Sequence, residues 1–138
     1  MKYMILLYGS QQDYDVLAGK STDKPAMTAE EVEAMHAYMG EYHQKLVESG
    51  ELVGGHGLTA PVHARRVQLA NGAPVVTDGP YPETQEVLAG YTIVECDSFD
   101  RATEIALRLA DCPGPEHVRA AAVADVRPIA EYSADLAL

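Results

Sequence analysis

Only two cysteines, Cys96 and Cys112, occur in the 138 residues. That is too few for a disulfide framework, and neither sits in a CxxC or other ligand-spaced cluster. Both are read as reduced packing residues. Basic residues are also scarce: 10 Lys and Arg stand against 21 Asp and Glu, a net charge of −11. At moderate salt such a field repels phosphate backbones and anionic lipid, so neither nucleic acid nor membrane is expected as a partner. Long apolar runs are missing too. Near the start only Met1 to Tyr8 is strongly apolar, far short of the roughly 20 residues that span a bilayer, and a secretory leader would need a small-residue cleavage site. The expected location is cytoplasmic. There is no HxH, HExxH or cysteine pair, no glycine-rich phosphate loop followed by Lys-Ser/Thr, no GxSxG and no GxGxxG opening a helix. The familiar metal and cofactor classes are therefore disfavoured, and none is expected.

What is present suits one packed domain spanning residues 1–138. Apolar residues make up 47% and charged residues 22%, and a chain of this length can bury about 70% of its unfolded surface. Lys2 to Tyr8 (KYMILLY) reads as a buried strand ending at Gly9 and Ser10. Residues 9 to 27 show no sustained period, which predicts a long loop, either a flexible insertion or a lid. Thr28 and Glu31 form a capping box, with Met27 and Val32 placed as a hydrophobic staple. A helix is predicted over 29 to about 49: Val32, Met35, Met39, Tyr42 and Leu46 make its apolar stripe and Gly50 its stop. Gly40, inside it, suggests a close neighbour or a ligand.

A second strand runs from Leu52 and Val53 into Gly54-Gly55-His56-Gly57-Leu58, where the glycines suggest a bulge or a close approach. Arg65 to Ala70 alternates as a third strand, joined through Asn71-Gly72 to Val75-Val76-Thr77 as a hairpin. A turn at 78–82 precedes a strand over Leu88 to Glu95. A second helix starts near Asp97 or Ser98, shows Phe99, Ala102, Ile105, Ala106 and Leu109 on its apolar face, and ends at Cys112-Pro113-Gly114-Pro115. Ala122 to Ile129 closes the pattern as a strand. The order is that of an α+β, ferredoxin-like split βαβ fold, an antiparallel sheet with two helices on one face. The other face then lacks a cover from this chain, and a symmetric homodimer is the simplest way to supply one.

The most individual segment is Val76-Thr77-Asp78-Gly79-Pro80-Tyr81-Pro82-Glu83, followed by Leu88-Ala89-Gly90-Tyr91. Together with KYMILLY, the stretch Glu48 to Gly55 leading to Gly57-Leu58, and the closing Val126-Arg127-Pro128-Ile129, it resembles the YCII-related proteins. Within them it is most similar to the branch named for an Asp-Gly-Pro-Phe signature. The resemblance covers nearly the whole chain. It implies a ferredoxin-like domain that dimerises into an α+β barrel, a role as a His-Asp enzyme or a sigma-factor-associated regulatory module, and a histidine on the first helix. The signature's Phe is Tyr81 here, and His56 stands where an acidic residue commonly follows Gly-Gly.

Asp78 is the leading candidate for chemistry, a carboxylate held at a strand end beside Gly79 and Pro80, suited to proton transfer or ligand contact. Its rival reading is an Asx-type turn that caps its own backbone. Glu83 is a second carboxylate or a cap. His36 and His43, seven residues apart, share one helical face beside the apolar stripe, and His43 is the preferred partner of Asp78. His56, Gly79, Tyr81 and Glu83 are candidate ligand contacts, and His63 is read as a loop residue. Two functions stay open: a cofactor-free enzyme acting on a small polar molecule through Asp78 and a histidine, or a non-catalytic regulatory or ligand-binding module.

Overall fold

The computed structural model describes residues 1–137. Strand β1 (Lys2–Gly9) pairs antiparallel with β5 (Val87–Glu95) on one side and β6 (Ala124–Pro128) on the other, and β2 (Leu52–Gly57) pairs with β5, giving the order β2-β5-β1-β6. Between β1 and β2 the chain crosses as helix α2 (Ala29–Ser49), and between β5 and β6 as α3 (Phe99–Leu107). Each crossover skips one strand, which is the split βαβ arrangement expected from the sequence. Strands β3 (Arg65–Ala70) and β4 (Ala73–Asp78) form a separate two-stranded ribbon turning through Asn71-Gly72.

Sheet alternation decides where the core lies. Tyr3, Ile5, Thr92 and Val94 are buried on one face, and Tyr42 and Leu46 of α2 pack there with Ala102 and Ile105 of α3. The opposite face carries Met4, Leu6, Tyr91 and Ile93 at half-burial. Helix α2 begins where expected, with the Thr28 hydroxyl accepting from the Glu31 N–H and the Glu31 carboxylate from the Thr28 N–H, and it ends at Gly50 with φ 75°. From the middle of α2 the Tyr42 hydroxyl donates to the Ile105 carbonyl at 3.1 Å and Tyr38 donates to that of Arg108, tying α2 to the end of α3. Burial pushes the Tyr42 phenol up to about 12. The Arg101 guanidinium of α3 grips Glu51 with two bonds of 2.8 Å, so α3 is bolted to the segment entering β2. Those bonds hold the Glu51 carboxyl down at about 2, against desolvation that pushes it up.

Four details depart from the sequence reading. Residues 11–17 are not loop but helix α1 (Gln11–Leu17), capped by Ser10 and Asp13 in a second capping box and anchored by the buried Val16. The second helix stops at Leu107, tightens into a 3₁₀ turn over Arg108–Asp111, and a short helix α4 (Glu116–Ala121) follows Pro115. The closing strand starts at Ala124 rather than Ala122. Gly40 has open space where a Cβ would stand, whereas at Gly55 a Cβ would come within 2.7 Å of the Tyr91 carbonyl oxygen, so the close approach is there. Both cysteines are free thiols. Among the described residues no helix is long and apolar enough to cross a membrane.

Candidate functional site

The Asp-Gly-Pro turn lies where β4 leaves the ribbon. Asp78 is the last residue of β4, opposite Arg65, and its Oδ1 accepts from Arg65 Nε at 3.0 Å. The two side chains are 79% and 76% exposed, so this is a surface pair in water rather than a sequestered carboxylate. Gly79 adopts φ 53° and its N–H donates to the Ala64 carbonyl at 2.8 Å, while a Cβ there would press to 3.2 Å from the Val62 carbonyl oxygen. Both features favour glycine there. Tyr81 lies half-buried under the Arg66 guanidinium, 4.6 Å from its ring centroid. Glu83 is exposed, and its backbone carbonyl, not its carboxylate, accepts from the Gln12 N–H at 3.0 Å.

Helix α1 braces this turn. Gln11 Oε1 accepts from the Val62 N–H at 2.9 Å, and the Tyr14 hydroxyl donates to the Leu58 carbonyl at 2.7 Å. Burial raises the Tyr14 phenol above its ordinary value. The brace went unread because residues 9–27 lack a long period, although Ser10 and Asp13 stand at capping-box spacing. The candidate site thus comprises two arginines, two carboxylates and a tyrosine on a turn tied to β1 through α1.

The histidines are scattered around it. His43 sits half-buried on α2 with its ring 5.8 Å from that of Tyr42, on the helix-covered side of the sheet. His56 lies opposite Tyr91 in β2, rings 5.9 Å apart, on the other side. The sheet therefore stands between them, and among the described residues no hydrogen bond joins either to Asp78. His36 borders a shallow depression with Leu17, Met27 and Val32, and His63 is exposed at the end of a 3₁₀ turn. His117 of α4, which the sequence did not single out, has a buried Nε2 without a partner among the described residues.

A larger concavity lies elsewhere. Between α2, α3, α4 and the strands β1 and β6 a pocket of about 680 Å³ is lined by Leu7, Met39, Leu109, Cys112, Val118 and Val126 among others, with Arg119 the one charged member among the described residues. Burial pushes the Cys112 thiol up, and Arg119 pulls it partly back. Its walls come from segments far apart in the chain, so no local motif announced it.

Two comparisons bear on this geometry. The model of the YCII-related domain matches residues 1–131. An uncharacterized protein of Rhizobium meliloti (strain 1021) is 31% identical over 108 residues, covering 78% of this chain and 82% of its own length. With the split βαβ sheet and the Asp-Gly-Pro turn in place, these matches settle the lineage: the chain belongs to the family of proteins built on the YCII-related domain.

Proposed function

We propose that the protein is a homodimeric ligand-binding member of this family, which holds a small polar molecule at the Asp78–Glu83 turn without transforming it. The observation that carries this reading is the state of Asp78. A general base needs a carboxylate held near the proton it removes and backed by a partner that takes up charge. Here the carboxylate is open to water and already paired with Arg65, an arrangement suited to hydrogen bonding and charge complementarity. The dimer rests on Met4, Leu6, Tyr91 and Ile93, which form an apolar stripe on the face opposite the helices, and on the ribbon, whose Val67, Leu69 and Val76 are exposed. Each is surface that a second copy would bury.

A second reading keeps Asp78 as a catalytic acid or base with a histidine. One observation favours it: His56 and Tyr91 stand on the sheet face that pairing would enclose. Light scattering tests the dimer. Twice the 14.9 kDa of one chain is expected, and Ile93→Lys is expected to return the single-chain mass with the fold intact. A single-chain mass for the unaltered protein would remove the dimer. A thermal-shift screen of polar metabolites tests the rest, since a ligand that binds only the folded state raises its apparent stability. Ligands that stabilise and are recovered unchanged support binding; one consumed by the protein but not by Asp78→Asn establishes the enzyme.

A further inference from the structure

We propose that the pocket under α4 is a binding site for an aliphatic carboxylate, its hydrocarbon body among the side chains of β1, α2 and β6 and its headgroup on Arg119. Three observations converge. At about 680 Å³ the pocket has the volume of a small-molecule site. Its interior surface is supplied by Leu7, Met35, Met39, Leu109, Val118 and Val126, and the two methionines and the leucines adapt readily to a flexible chain. Among the described residues its one charged lining member is Arg119, which is exposed, so apolar depth ends in a cation at the water's edge. An apolar body with an anionic end matches that polarity, because the body leaves water while the head keeps a charged partner.

Arg119 is free to play this part. One guanidinium nitrogen, Nη2, donates to the Ala110 carbonyl at 2.9 Å, which holds α4 against the 3₁₀ turn, and among the described residues no carboxylate pairs with it. Of the five N–H donors an arginine carries, the bond to Ala110 uses one. The rest suit a carboxylate, whose two oxygens accept in parallel. The field of Arg119 also reaches inward, since it acts on Cys112 in the pocket wall. Burial favours the thiol over the thiolate at that position. The pocket lies on the helix-covered side of the sheet and shares no lining residue with the Asp78–Glu83 turn, so it stands independently of the function proposed for that turn.

The test uses the full chain and isothermal titration with decanoate and decyltrimethylammonium, each below its micelle concentration, and with decanol below its solubility limit. Decanoate is expected to bind one per chain, at least about 10-fold more tightly than decanol, with the cation weaker still. Arg119→Met is expected to weaken decanoate about 10-fold and to leave decanol unchanged. Ala110→Phe, at an exposed lining position, is expected to abolish both by filling the mouth while circular dichroism stays native. Equal affinity for all three probes, or an Arg119→Met variant that binds decanoate as before, would overturn the assignment. So would the absence of decanoate binding to the folded protein at millimolar concentration.

Discussion

The four-stranded sheet and the β3–β4 ribbon are both regular antiparallel pairings, yet they differ in what stands behind them. In β1 and β5, residues on one face vanish under α2 and α3: Ile5 and Val94 are at most 1% exposed. In the ribbon the same alternation leads nowhere, and Val67 and Leu69 are 72% and 75% exposed. Backbone pairing and β-branched side chains suffice to make a strand, while stability comes from burial. The body therefore carries the energy of folding. The ribbon carries the signature turn at its base, and its apolar side chains are open to a partner.

Substitution of matched leucines would show that contrast most directly. Leu46 is fully buried between α2 and the sheet, so Leu46→Ala is expected to cost about 3 kcal/mol in urea unfolding, combining lost transfer energy with the cavity left behind. Leu69→Ala in the ribbon is expected to cost under about 0.5 kcal/mol in dilute protein. A comparable loss at both positions would show that the ribbon is packed in solution, and a loss at Leu69 that grows with protein concentration would trace that packing to a second copy.

Charge gives a second, smaller comparison between the same regions. In the body, Glu51 receives two bonds from Arg101 and its side chain is 14% exposed; Glu51→Gln is expected to cost about 1 to 2 kcal/mol at neutral pH. Its folded-state carboxyl lies below the ordinary 4.5, at about 2. The pair thus adds stability that is present above 4.5 and is lost as the pH falls from there toward 2. In the Gln variant that part of the acid dependence is expected to disappear, and unfolding curves between those pH values check it.

The smallest effect belongs to the ribbon's own pair. Asp78→Asn keeps an acceptor for Arg65 and the same backbone, so stability is expected to stay within about 1 kcal/mol. A larger loss would mean that the carboxylate holds structure in the Asp-Gly-Pro turn beyond its surface pairing.

How much of this was legible depended on range. Helix α2 was read over 29 to about 49, as observed, because both of its ends are written locally: Thr28 and Glu31 at one, Gly50 at the other. The ribbon was read from Asn71-Gly72, where φ is 51° and 80°, a backbone those residues accept. Helices α1 and α4 were missed. With seven and six residues they are too short to display a period, and they persist through contacts made elsewhere, Val16 in the interior and Arg119 on Ala110.

The sequence by itself determined the order of the strands and of the two crossover helices, the split βαβ topology, and the hairpin at Asn71-Gly72. Those follow from alternation, caps and turns, which act over a few residues. The tertiary structure alone decided that Asp78 meets Arg65, that the sheet separates His43 from His56, and that β1, α2, α4 and β6 close around a pocket ending at Arg119. Each depends on side chains far apart in the chain, and their meeting is fixed by how helices settle on a sheet, which no local pattern encodes.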